Sequence, residues 1–243
     1  MADITLVNLN MLIIRYPDAL ERELHVTLGP LYLAAALERA GHAVDFRDYQ
    51  LDEGPDPFSM EGFLRFCEGP APIIGLSCMA NLLPFTLLAA EALKRRYPDR
   101  TIVVGGVGPC GVEELVLARF PAVDVIAYGE GEVSGPLLVD ALRHGRPLDA
   151  VPGILFRKDG AIVRTPPPAR VSDLDRACRS TFTESVLSAL RLQFHDRVSA
   201  SRYRLFDTPG AQGCYHQGMI AALRRRKCKP GQRGQLSSHE TPS

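Results

Sequence analysis

Between residues 3 and 145, strand-length apolar runs and stretches with helical apolar spacing follow one another five times. No other feature restricts the fold as much. The strand patterns lie at 3–10, 42–50, 72–79, 100–106 and 123–129, and the helix patterns at 27–41, 57–69, 83–98, 110–121 and 132–145. Strands that alternate with helices pair side by side in parallel, because each helix carries the chain back to the start of the next strand. Both sheet faces are then covered, so the strands read as continuous apolar runs such as "TIVV". The expectation is an α/β fold with a doubly wound, five-stranded parallel sheet, whose ligand sits beyond the carboxyl ends of the strands.

The pattern changes after residue 150. "GILFRKDGAIVRTPPPA" (153–169) holds two short strand patterns about an Asp-Gly turn, followed by three prolines that favour a stiff, extended connector. From Arg176 onward there are 12 Lys+Arg against 4 Asp+Glu, leaving 16 against 24 for residues 1–175, although the whole chain has a formal net charge of zero. Three segments are therefore expected: an α/β domain over 1–150, a hairpin appendage with a proline-rich connector over 151–175, and an irregular, partly disordered basic tail over 176–243.

Zero net charge gives no overall pull towards nucleic acid. The basic run 224–229 lacks the interleaved aromatics of a single-strand binder and reads as a solvated segment. No run reaches the roughly 18 apolar residues of a membrane span. The start "MADITLVNLN" lacks the basic opening of a secretory signal. Cys67, Cys78, Cys110, Cys178, Cys214 and Cys228 form no CxxC pair and no disulfide framework. A cytoplasmic location is expected.

Small residues end the third and fourth strand patterns: Ser77 in one, Gly105 and Gly106 in the other, with 27 residues between Ser77 and Gly105. Serine can hydrogen-bond a buried polar ligand group, and paired glycines remove side chains from the path of a flat one. Glycine and serine also end strands that bind nothing. At the fifth strand, "YGEGE" brings Gly129, Glu130, Gly131 and Glu132 to a helix start. Neither a GxGxxG after the first strand nor a GxxxxGK[ST] phosphate loop is present.

Taken together and in order, Leu-Gly-Pro, Ala-Gly-His, Ser-x-Met, Gly-Gly, Gly-Glu-Gly-Glu, the Asp-Gly hairpin and Asp-Leu-Asp resemble the N-terminal cobalamin (B12)-binding domain of cobalamin-dependent radical SAM enzymes, over about residues 3–175. The resemblance implies a flavodoxin-like, Rossmann-like B12 fold with the corrin over the strand ends and the nucleotide tail in a groove beside the sheet. Ser77 and Met79 match its Ser-x-Leu position, with methionine for leucine. Gly105 and Gly106 match its paired glycines. Leu28 and Gly29, together with Gly129, Glu130 and Gly131, are the other cofactor-binding candidates it implies. In complete relatives, methylcobalamin passes a methyl group to a radical-activated substrate.

Two departures matter. Methionine-synthase-like domains supply an axial histidine from Asp-x-His-x-x-Gly; here His25 stands four residues before Gly29 and no Asp lies two before it. His25 is thus the one weak candidate cobalt ligand, and the resemblance implies cobalamin held without a protein histidine. The Cys-x-x-x-Cys-x-x-Cys that carries a 4Fe-4S cluster and SAM in complete relatives does not occur in this sequence. The expectation is a cobalamin module truncated or frame-shifted before the radical SAM domain, with a separate radical SAM domain or a second copy as partner. A generic flavodoxin-like ligand-binding or regulatory domain without cobalamin is the alternative. A self-sufficient enzyme using Glu130 and Glu132 lacks a nucleophile, since Cys78 reads as core.

Overall fold

Apart from residues 10, 16–19, 24–27, 53 and 170–243, the computed structural model describes the whole chain. In chain order the elements are β1 (Ile4–Asn8), β2 (Leu12–Arg15), β3 (Leu20–Glu23), α1 (Leu28–Arg39), β4 (Val44–Asp48), α2 (Met60–Phe66), β5 (Ile73–Ser77), α3 (Leu83–Arg96), β6 (Thr101–Gly105), α4 (Glu113–Arg119), β7 (Val125–Ala127), α5 (Gly131–His144), β8 (Ile154–Lys158) and β9 (Ala161–Arg164). All five expected strands and all five expected helices form. The parallel strands lie in the order β4-β1-β5-β6-β7. By position among these five, that is 2-1-3-4-5, the flavodoxin-like winding that reverses direction between β1 and β5.

The pleat assigns the core. Ile73 faces one layer, where it packs with Leu37 of α1 and with Leu138 and Val139 of α5. Ile74 and Leu76 face the other, with Phe63 of α2, Leu93 of α3 and Leu117 of α4. Alternate residues of one apolar run thus serve both layers. Each fully buried Ile or Leu stabilises the fold by roughly 1.5–3 kcal/mol relative to exposure. Below α2 the rings of Tyr49 and Phe63 meet edge-on with centroids 5.2 Å apart, and Tyr49 stacks on Phe85 at 6.1 Å.

The sheet is wider than the five strands expected. The 153–169 hairpin does not stand away as an appendage, because β8 pairs antiparallel with β7 and β9 with β8, giving seven strands. Its turn is as expected, with φ of 50° at Asp159 and 80° at Gly160, the left-handed pair of a two-residue hairpin. β7 would otherwise be a bare edge, and pairing covers it. The antiparallel pair β2–β3 was not anticipated, since its apolar "LII" merges with the first strand pattern. The tail from residue 176 lies outside the described residues.

Arg157 of β8 ties the hairpin to α4. Its guanidinium donates to the carbonyls of Leu117 at 2.6 and 3.0 Å, Phe120 at 2.9 Å and Val123 at 2.8 Å. The Leu117 carbonyl is one that the end of α4 leaves without a helical partner, and the other two lie in the turn that follows the helix. Arg157→Ala is expected to lower stability by about 1–3 kcal/mol, the scale of charged hydrogen bonds discounted for partial exposure. A urea melt showing no shift in midpoint would remove the clamp from the list of stabilising contacts.

Candidate functional site

The register brings the two small-residue strand ends together. Ser77 at the end of β5 is the direct partner of Gly105 at the end of β6. Asn8, ending β1, pairs with Ser77 on the other side. At this level α1 and α5 cover the sheet, and they pack on each other. Between them and the strands lies a cavity of about 450 Å³, open at the carboxyl edge.

Leu28 and Gly29 in the first turn of α1, Ser77, Met79, Gly105, Gly106, Gly129 and Gly131 all line this groove. Glu130 does not. It caps the start of α5 with extended backbone, and its carbonyl accepts from the Ser134 hydroxyl at 3.1 Å. The acid at the mouth is instead Glu132, in the first turn of α5. His25 lies outside the described residues. Leu33, Tyr128 and Gly135 also line the groove and were not candidates. For Leu33 and Gly135 the sequence signal is helical periodicity alone, which does not say that α1 and α5 will meet. They do so closely: a Cβ on Gly135 would stand 2.6 Å from Leu33 Cδ1.

The tandem glycines differ in kind. A Cβ built on Gly105 meets nothing nearer than Ala127 Cβ and O, both at 3.8 Å, so the protein itself leaves that space open. Gly106 has φ of 92°, and a Cβ there would come 2.6 Å from the Cys78 carbonyl oxygen. That oxygen also accepts from the Gly108 amide at 3.0 Å, closing the loop after β6. Gly106 is therefore a backbone requirement, whereas Gly105 keeps room in the groove.

The chain leaves β9 beside the groove. Tyr128, whose hydroxyl donates to the Thr165 carbonyl, carries the Arg164 guanidinium over its ring at 5.0 Å. The Gly153 amide donates to the Pro166 carbonyl at 2.7 Å, and Pro168 lies against Gly129 and Gly153. Pro168 thus lies at the same edge as the groove.

The two buried thiols, Cys67 and Cys78, are not primed for chemistry. Burial pushes the Cys67 thiol up to about 12, against the lowering effect of the Arg47 charge. Cys78 is also raised, by burial, although hydrogen bonds with Thr86 and the Gly108 amide oppose the shift. A raised thiol stays protonated, hence unreactive, up to its elevated pKa. Iodoacetamide at pH 8 should therefore modify exposed Cys110 and spare Cys67 and Cys78, as peptide mass mapping would reveal. Rapid labelling of Cys78 would contradict its placement.

A parallel sheet wound 2-1-3-4-5, with an apolar groove at the strand ends where the winding reverses, defines a doubly wound cofactor-binding domain. Residues 22–139 match the family described as B12 binding domain. The chain is 33% identical over 148 residues to the anaerobic magnesium-protoporphyrin IX monomethyl ester cyclase of Synechocystis sp., covering 61% of this chain and 30% of that protein. It is 30% identical over 152 residues to the hopanoid C-3 methylase of Methylococcus capsulatus, covering 61% of this chain and 27% of that one. The chain thus spans about a third or less of these relatives. Among solved structures, the radical S-adenosylmethionine methyltransferase TsrM from Kitasatospora setae, with cobalamin and a 4Fe-4S cluster bound, superposes with a TM-score of 0.54 at 19% identity. That match covers 71% of this chain and 31% of TsrM, and it establishes the fold. The domain is homologous to those of cobalamin-dependent radical SAM methyltransferases and cyclases. Among the described residues no helix is long and apolar enough to cross a membrane.

Proposed function

We propose that the groove between α1, α5 and the ends of β5 and β6 is the seat of cobalamin's nucleotide tail, and that the domain serves as the cobalamin-carrying module of a radical SAM methyltransferase or cyclase system. The observation that carries the reading is Gly105: a side chain there would meet no described atom nearer than Ala127 at 3.8 Å, inside a groove within the B12-matching residues. In this arrangement Ser77 offers its hydroxyl at the mouth, while Gly105 admits the tail between sheet and helices. Gly106 turns the following loop away. Leu28 and Gly29 let the start of α1 approach closely, Met79 packs by shape, and Gly129 and Gly131 do the same at α5, whose cap is Glu130. When bound, cobalamin supplies a cobalt centre that carries a methyl group or takes part in electron transfer.

A flavodoxin-like domain holding a flavin mononucleotide is the competing use of this fold. The described lining residues include Glu132 but no lysine or arginine, which leaves a phosphate dianion without a counter-charge. Partners belong to the same reading: a separate radical SAM unit or a second copy would meet the edge at which the groove and Pro168 lie. So does a reducing, cytoplasmic setting, since Cys67, Cys78 and Cys110 are free thiols.

The test is to mix the purified chain with hydroxocobalamin, desalt, and record the absorbance spectrum. Retention near one corrinoid per chain is expected. A folded but colourless protein would sink the reading, and retention of flavin mononucleotide in its place would establish the competitor.

A further inference from the structure

We propose that the groove discriminates among corrinoids by the polarity of the lower base, accepting an apolar benzimidazole and disfavouring a purine such as adenine. This rests on the reading that the groove receives the tail. The groove runs from Ser77 and Gly105 at the carboxyl edge down to the level of Ile4 and Ile73 at the beginnings of β1 and β5. That is about four strand residues, roughly 13 Å.

Its polar side chains are gathered at one end. Ser77 ends β5, Tyr128 follows β7, and Glu132 lies in the first turn of α5. Tyr128 has already donated its hydroxyl to the Thr165 carbonyl. The Cys78 thiol hydrogen-bonds Thr86 and packs in the layer on the opposite face of the sheet. Deeper down, the described lining is Ile4, Leu6, Leu37, Ile73, Val103 and Val139, and none of these carries a polar side chain. Nor does the floor offer backbone partners. β5 lies between β1 and β6, whose ladders take up its amides and carbonyls.

A dimethylbenzimidazole gains from such a lining, since its two methyl groups and fused ring exchange water for apolar contact. Adenine brings an exocyclic amine with two donors, together with extra ring nitrogens that accept. Each gives up water and finds nothing in return. An apolar pocket rejects a ligand with added polar groups by roughly 10- to 100-fold, which sets the expected discrimination.

The experiment uses the full chain and three ligands: hydroxocobalamin, the corresponding corrinoid with adenine as lower base, and cobinamide, which lacks the base. Equilibrium dialysis read by corrinoid absorbance gives each affinity. Cobalamin should bind tightest, cobinamide more weakly, and the adenine corrinoid roughly 10- to 100-fold below cobalamin. Adenine and benzimidazole corrinoids binding within about 3-fold of each other would overturn the selectivity and leave cobalamin binding intact. Cobinamide binding as tightly as cobalamin would also overturn it, by showing that the base is not held. If cobalamin itself fails to bind, the underlying assignment of the groove falls, and the selectivity with it.

Discussion

Gly105→Val is expected to weaken cobalamin binding by roughly 10- to 100-fold, as overfilling a packed site does, so that the corrinoid no longer survives desalting. The same variant should melt within about 4 °C of the parent, the equivalent of roughly 1 kcal/mol for a domain of this size. The reasons are local. Gly105 ends β6 beside Ser77, on the face that also presents Val103 to the groove. The nearest protein atoms to a Cβ there are those of Ala127 at 3.8 Å, an ordinary contact, so the added methyl groups displace ligand instead of protein. Valine also suits an extended strand. Full retention of cobalamin by this variant, measured spectroscopically after desalting, would remove the groove from consideration as the seat.

Gly106→Ala should do the reverse, acting on stability. The residue holds φ of 92°, and the added Cβ would stand 2.6 Å from the Cys78 carbonyl oxygen. That oxygen cannot retreat freely, because it accepts from the Gly108 amide at 3.0 Å while the Cys78 amide donates to the Gly105 carbonyl at 3.1 Å. Left-handed strain and the backbone clash together should cost about 3 kcal/mol or more. A thermal melt should then fall by roughly 6–12 °C. A melting temperature equal to the parent's would mean that the loop after β6 is not built as described. Two adjacent glycines thus separate by phenotype, one affecting the ligand and the other the chain.

Much of this site could be read before any coordinates. The apolar runs around Ile74 and Val104 and the helical spacing of 27–41 and 132–145 led to the winding. Ser77 and Gly105 both end strand patterns in the sequence, and the parallel register of β5 and β6 sets them side by side. What escaped detection depended on contacts between distant segments. Leu33 and Gly135 are 102 positions apart and meet only because α1 and α5 lie on the same face. In "YGEGE" the resemblance singles out Glu130, but the start of α5 makes Glu130 the cap and sets Glu132 in the groove lining. Likewise, a hairpin pattern does not say which edge it will cover, and here it closed the edge of β7.

Local periodicity, tight-turn chemistry and the order of small-residue motifs therefore determined the fold class, the turn at Asp159–Gly160 and the strand ends that line the groove. These are short-range preferences, which a chain carries in any context. Tertiary structure alone decided the width of the sheet, the depth and apolar floor of the groove, and the separate roles of Gly105 and Gly106. Those properties arise from the space left between packed elements, and that space exists only once α1, α5 and the sheet have closed on one another.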